Sequence, residues 1–324
     1  MKKTIALILS LALIVMAFAG CAAKPAEEDV TIRIGGLKGP TSIGLVKVME
    51  DNDNGTAAND YEFTISGSAD EVTPKLIQGE LDIAAVPANL ASVLYKNTEG
   101  AVQLLAINTL GVIYIVEKGD SVSTLADLAG KTIYATGKGS TPEYAIRYIL
   151  SQNGIDSDTD VTIEWKSEPT EVVSTLAAAD TGIAMLPQPF VTVAQGSVEG
   201  LHIAIDLTKA WDDLKNGSQL LTSVLVVRRD FAEAHPQAIA DFLKEYEAST
   251  KYVNENNADA AQLIEKFDIV KAAVAEKALP FCNITYIAGK DMKAPMDGYL
   301  QVLFDQNPAS VGGVLPDSSF YYEG

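Results

Sequence analysis

From residue 30 onward the chain alternates short apolar runs with longer helical ones, which leaves few architectures open to it. Residues 30–34 read as a strand by their period of two, and Gly35-Gly36 and then Gly39-Pro40 are expected to break it. A helix over 43–49 follows, then a strand at 61–66, a helix at 72–78, an apolar strand at 81–86 and a helix at 90–95. Strands at 102–108 and 112–117 come next. The cycle restarts with strands at 132–135, 161–165, 183–186 and 201–207, interleaved with helices at 142–152 and 171–179. After a strand at 223–228 the chain turns helical, over 231–254, 259–278 and near 291–304. Strands separated by helices of this length predict βαβ units and mostly parallel sheets, an α/β fold.

One internal similarity is sharper than the rest. Glu71, Val72, Leu76, Ile83, Ala84 and Pro87 recur one hundred residues later as Glu171, Val172, Leu176, Ile183, Ala184 and Pro187. Each copy reads as an amphipathic helix, a turn, an apolar strand and a proline. Either two βα units look alike by chance, or the chain holds two similar lobes whose proline-marked loops face one cleft. Ligands of open α/β sheets sit beyond the carboxyl ends of the strands.

The first twenty-one residues, MKKTIALILSLALIVMAFAGC, have another character. Lys2 and Lys3 precede an almost unbroken apolar run, and Ala19-Gly20 places small residues before Cys21. Residues 1–20 are expected to be a secretory signal peptide, too short for a good membrane span. The small-small-Cys ending resembles a bacterial lipobox, with Phe18 in place of the usual aliphatic residue. It implies lipidation at Cys21 and a tether over 21–29. Cleavage before Cys21 removes two lysines and no acid, taking the formal net charge from −19 to −21. Such a surface repels nucleic acid and anionic lipid heads, so a membrane anchor has to be the lipid itself. Cys282 is the only other cysteine, so no disulfide can form within the mature body. A chain with 48% apolar residues can build a core large enough to do without one.

Catalytic material is scarce. His202 lies inside an apolar strand and His235 precedes Pro236; neither has metal-ligand spacing with a cysteine. No nucleophile-elbow pattern occurs. Gly137-Lys138-Gly139-Ser140-Thr141-Pro142 begins like a dinucleotide fingerprint but has proline where its third glycine belongs. Ala129-Gly130-Lys131-Thr132 ends like a phosphate-binding loop but lacks the leading glycine. No metal and no cofactor are expected.

Five loops after strands are rich in glycine, proline, hydroxyls and amides. They are Lys38 with Gly39, Pro40, Thr41 and Ser42; Ser66, Gly67 and Ser68; Pro87, Ala88 and Asn89; Gly137, Lys138, Gly139, Ser140 and Thr141; and Pro187, Gln188 and Pro189. Helix N-termini there would offer free N–H groups and positive dipole ends to an anionic or polar ligand. Capping is the competing reading, since Ser68 with Glu71 and Ser140 with Glu143 have capping-box spacing. Trp211 fits either a ligand-stacking ring or a packed lid.

The lipobox ending, the Gly39-Pro40 loop, the apolar run ending at Pro87 and Leu125-Ala126-Asp127-Leu128-Ala129-Gly130-Lys131-Thr132 resemble solute-binding lipoproteins of ABC importers. So do Val226-Val227-Arg228-Arg229-Asp230-Phe231, His235-Pro236 and Gly312-Gly313-Val314-Leu315-Pro316 with Phe320-Tyr321-Tyr322. The nearest branch is the nitrate/sulfonate/taurine type, which includes thiamine-precursor binders. The resemblance implies a type II periplasmic-binding-protein fold, two lobes joined by a two-strand hinge. Residues 30–111 and 226–324 would form lobe 1, and 112–225 lobe 2. It also implies an extracytoplasmic, membrane-anchored monomer that delivers a small polar or anionic solute to an ABC permease and its ATPase. Ligand contacts would fall in the five loops, whose few aromatics argue against a flat aromatic ligand. Two other readings stay open: a pyrimidine-precursor synthase-like enzyme on the same fold, and a ligand sensor without transport.

Overall fold

The structure is a computed structural model that describes residues 30–324. The expected signal peptide over 1–20, Cys21 and the whole of the expected tether over 21–29 lie outside the described residues.

Two sheets organise the chain. The first has six strands in the order β11-β4-β10-β3-β1-β2. Its members are β1 (Thr31–Leu37), β2 (Asp60–Ser66), β3 (Ile83–Pro87), β4 (Val102–Leu110), β10 (Leu221–Arg228) and β11 (Ile284–Ala288). The second has five strands in the order β7-β6-β8-β5-β9. They are β5 (Ile113–Lys118), β6 (Thr132–Ala135), β7 (Thr162–Trp165), β8 (Gly182–Pro187) and β9 (Leu201–Asp206). In the first sheet β1 to β4 run one way and β10 and β11 the other. In the second only β5 runs against the rest.

The two similar segments occupy matching places. β3 lies between β1, which it pairs in parallel, and β10, which it meets antiparallel. β8 lies likewise between parallel β6 and antiparallel β5. β5 and β10 are also the strands at which the chain changes sheets. Gly111 and Val112 link β4 directly to β5, and residues 214–220 lead back to β10. Gly111 has no room for a side chain, because a Cβ there would lie 2.3 Å from Thr208 Oγ1.

Among the described residues thirteen α-helices surround the sheets. Through the second sheet they are α1 (Pro40–Ile43), α2 (Val46–Asp53), α3 (Ala69–Ile77), α4 (Ala88–Asn97), α5 (Thr141–Gln152), α6 (Pro169–Ala178), α7 (Phe190–Ser197) and α8 (Leu207–Asp213). After β10 come α9 (Arg229–Ala234), α10 (Pro236–Glu255), α11 (Asn257–Lys266), α12 (Ala272–Ala278) and α13 (Lys293–Gln306). One apolar core runs from Val86 of β3 and Val224 of β10 to Ile115 of β5 and Met185 of β8, taking in Trp211 and Tyr299. Buried aliphatic area of this kind contributes about 25 cal/mol per Å².

The structure departs from the sequence reading in several places, each with a local cause. β1 continues through Gly35 and Gly36 rather than breaking there, and glycine is what lets neighbours close in. A Cβ on Gly35 would meet Leu81 at 2.4 Å, and one on Gly36 would meet Ser42 Oγ at 2.3 Å. The helix expected over 231–254 is two helices. His235 (φ −128°, ψ 55°) leaves helical geometry because the ring of Pro236 disfavours it in the preceding residue. The helix expected over 259–278 is also divided, with Asp268 in the left-handed region at φ 55°. α7, α8 and β11 are additional. The β-branched residues of α7 hide its helical face of Phe190, Val191 and Ala194. α8 begins where the Asp206 carboxylate accepts from the N–H groups of Thr208 and Lys209.

Candidate functional site

The five predicted loops follow β1, β2, β3, β6 and β8, all at carboxyl ends. The structure brings loops of the two sheets against each other at three points. Asn89 Nδ2 donates to the Gly139 carbonyl at 3.4 Å, and Thr141 Oγ1 donates to Asn89 Oδ1, also at 3.4 Å. Gly39 faces Phe190, whose ring lies 3.2 Å from where a Cβ on Gly39 would be. Gly67 faces Glu168, with Oε2 3.4 Å from the corresponding point. The seam between the two sheets is walled by strand ends and helix starts, and ligands of open α/β sheets bind beyond the carboxyl ends of the strands.

A buried polar layer supports the first wall. Asn108 Nδ2 donates to the Thr41 carbonyl at 3.0 Å, and Ser223 Oγ donates to Asn108 Oδ1 at 2.6 Å. Thr109 Oγ1 reaches the Pro40 carbonyl at 3.4 Å. These bonds come from β4 and β10 and fix the start of α1 from beneath. Ser42 is fully buried, and its hydroxyl has no partner among the described residues. Such an orphan costs about 1–3 kcal/mol unless something satisfies it.

The opposite wall is set by Ser140, Glu143 and Gln188. Ser140 does not cap α5 with its side chain; its Oγ donates to the Gly137 carbonyl at 2.8 Å. Glu143 Oε2 accepts from the Gly139 N–H at 2.7 Å, and Oε1 accepts from Arg147 Nε at 2.8 Å. Burial alone would lower the Arg147 pKa, but its bonds to Glu143 and Asp158 raise it. The 137–141 loop is thus tied to its own helix. Ser68 likewise makes no side-chain cap to α3, so neither capping box forms as its spacing suggested. Gln188 is 2% exposed; its Oε1 accepts from Thr192 Oγ1 at 2.9 Å, while its Nε2 makes no hydrogen bond among the described residues.

Charge at the seam is mixed: besides Glu143, Arg147 and Glu168, Lys38 Nζ pairs with Asp268 Oδ2 at 3.2 Å, and Lys138 is exposed. Trp211 is neither a ligand platform nor a lid: it is fully buried between Tyr148 and Tyr299, and its Nε1 donates to Ser218 Oγ at 3.1 Å. Burial pushes the Cys282 thiol up to about 12, leaving it protonated and unreactive. Among the described residues no group of three His, Cys, Asp or Glu side chains could hold a metal ion. None of their helices is long and apolar enough to cross a membrane.

Sequence reasoning missed Asn108, Ser223, Phe190 and Glu168 at this seam. For Asn108-Thr109 and Thr222-Ser223 a signal existed, since polar residues inside wholly apolar strands must find buried partners. For Phe190 and Glu168 it did not, because their neighbours lie about 150 and 100 residues away in sequence.

The chain crosses from the first sheet to the second between β4 and β5 and returns at β10, which makes an α/β fold of two sheets whose strand-end loops meet at a shared seam. Solved structures agree. An ABC transporter from Parabacteroides distasonis superposes with a TM-score of 0.74 at 23% identity, over 91% of this chain and 99% of that one. The alkanesulfonate-binding protein SsuA from Xanthomonas axonopodis pv. citri, bound to MOPS, gives 0.69 at 16% identity, over 91% and 96%. The periplasmic nitrate-binding protein NrtA from Synechocystis PCC 6803 gives 0.59 at 16% identity, over 82% and 75%. At these identities the likeness establishes the fold. The chain belongs to the NMT1-like family, whose model matches residues 51–266. A binding protein of Brucella abortus (strain 2308) is 23% identical over 174 residues, 54% of this chain. The chain spans about half the length of the curated relatives it matches.

Proposed function

We propose that this protein is the extracytoplasmic substrate-binding component of an ABC importer, and that it captures a small polar or anionic organic solute by closing two lobes. The lobes are residues 30–111 with 226–324, and residues 112–225, with the return crossing at β10. The observation that carries this reading is the seam itself. Five loops at strand ends face each other across it, with a free amide at Gln188 and hydroxyls at Thr41, Ser66 and Ser68. Among the similar solved proteins are an alkanesulfonate-binding protein bound to MOPS and a nitrate-binding protein, which is why an anionic or zwitterionic solute is favoured here. Backbone N–H groups at the starts of α3, α4 and α7 are suited to such a ligand without an arginine.

In this reading the chain binds without turnover and acts as a monomer. It hands its solute to a permease and ATPase, and is held on the outer face of the membrane by lipid on Cys21 after residues 1–20 are removed. Contacts are assigned to Gly39, Pro40, Thr41, Ser42, Ser66, Gly67, Ser68, Pro87, Ala88, Gly137, Lys138, Gly139, Ser140, Thr141, Gln188 and Pro189. Asn89, whose amide is engaged by protein, bridges the lobes. Calorimetry with taurine, ethanesulfonate, MOPS and nitrate tests the assignment. One of the four should bind, and Thr41→Ala and Gln188→Ala should each weaken it by about five- to 150-fold, the equivalent of about 1–3 kcal/mol. Binding unchanged in both variants would place the solute elsewhere.

A further inference from the structure

Tyr299 belongs to none of the five loops, yet its hydroxyl ends on one. It sits on α13, 158 residues from Thr141, and donates to Thr141 Oγ1 at 2.9 Å. Thr141 in turn donates to Asn89 Oδ1 at 3.4 Å. Asn89 Nδ2 donates onward, to the Ser310 carbonyl at 2.9 Å and the Gly139 carbonyl at 3.4 Å. All three side chains are fully buried. Every donor in this chain points the same way, and such chains strengthen their members cooperatively. Burial raises the Tyr299 pKa, with the Thr141 bond opposing it, so the hydroxyl stays a donor at neutral pH.

The ring of Tyr299 is held from behind. Trp211 packs on it with centroids 5.9 Å apart, and Tyr148 packs on Trp211 at 4.9 Å. Trp211 is on α8, and its partner Ser218 lies in the return connection to β10. The ring that carries the hydroxyl is thus packed against the segment that joins the sheets.

We propose that Tyr299 is a positioning residue: acting through Thr141, it sets the Asn89 contact that holds the loops after β3 and β6 together. This goes beyond the solute contacts and rests on the proposed function only in reading the seam as a closing cleft. In that view the open–closed balance is set partly by protein–protein bonds that exist without solute. A solute can then shift that balance only by its own preference for the closed form.

The test is small-angle scattering on solute-free mature protein, which does not depend on knowing the solute. Tyr299→Phe removes the hydroxyl and keeps the ring on Trp211. It should raise the open-to-closed ratio about fivefold, the loss of roughly one net hydrogen bond, and so increase the radius of gyration. Thr141→Ala interrupts the same chain without touching the aromatic core and should match it. Asn89→Ala should open the protein as well, and the Tyr299→Phe/Asn89→Ala double variant should open it by less than the sum of the two, because the Tyr299–Thr141 bond crosses the seam on its own while strengthening the Asn89 contact. Additive effects in the double variant, or a radius of gyration unchanged by both Tyr299→Phe and Thr141→Ala, would overturn the proposal. Either result would leave the calorimetric test of solute binding untouched.

Discussion

The ring of Phe190, at the start of α7, closes to within 3.2 Å of where Gly39 would carry a Cβ, and Gly39 itself sits at φ +118°, ψ −152°. Two independent constraints therefore require glycine: a backbone region that other residues rarely adopt, and an aromatic neighbour from the other sheet. Gly39→Ala should cost about 1–3 kcal/mol in stability. If backbone strain dominates, adding Phe190→Ala will not recover that loss, although it removes the ring. Chemical denaturation of the two single variants and the double variant checks this; full recovery in the double would make the ring the sole constraint.

At the opposite end of the first sheet, Asp82 anchors three elements. It is fully buried and accepts from Arg33 Nε at 2.9 Å, Arg33 Nη2 at 2.6 Å and the Arg33 backbone N–H at 3.0 Å; Arg228 approaches at 3.5 Å. The Arg33 side chain is 38% exposed, which moderates the energy of the pair. Asp82→Ala should still destabilise by about 2–3 kcal/mol, because it leaves two guanidinium groups facing an empty site. Solute affinity should be unchanged, since the pair lies at the strand ends away from the seam. A matched pair of urea melts and titrations would read both.

Glu117 gives the second sheet an acid-sensitive element. Burial would raise its pKa, but hydrogen bonds from Ser121 Oγ at 2.6 Å, Ser121 N at 2.8 Å and Val122 N at 2.9 Å outweigh that and hold it below the ordinary value. A carboxylate with a depressed folded pKa contributes stability above its unfolded pKa, about 4.3, and loses it as pH falls through the folded value. Melting temperature measured from pH 7 down to pH 3 should therefore fall less steeply on the acid side for Glu117→Gln than for the native chain. Parallel curves would show that other carboxylates carry the acid limb.

Cys21 carries the proposed anchor. Expressed in a bacterial host with its leader intact, the native chain should fractionate with membranes, and Cys21→Ala should be released. A variant that stays in the membrane fraction with the same mass shift would move the anchor elsewhere.

Much of this fold was legible because its determinants are local. The period of two at Ile32 and Ile34, the βα rhythm and the hundred-residue similarity all report on units that fold through near neighbours. β3 and β8 do fall in matching places. The loops were legible for the same reason, since a strand end followed by glycine, proline or serine is a local pattern. The hidden part is what long-range packing decides. Gly35 and Gly36 look like breakers until Leu81 and Ser42 are seen pressed against them. Asn89 looked like a ligand donor, yet its amide is engaged by Ser310 and Gly139, residues that sequence order places far apart. Trp211 fitted a ligand-stacking ring or a packed lid, because nothing in its polar local context, Lys209 to Asp212, shows what covers it; its burial comes from Tyr148 and Tyr299.

The central claim is that the two sheets close over one small solute. Gently purified mature protein can be unfolded, the small molecules it releases identified by mass spectrometry, and small-angle scattering recorded on solute-free protein with and without the released compound. The account predicts one solute per chain and a smaller radius of gyration at saturation, with Gln188→Ala shifting the half-point to higher concentration. A solute that binds stoichiometrically without compaction, or a protein that neither carries nor takes up any small polar or anionic molecule, would contradict it.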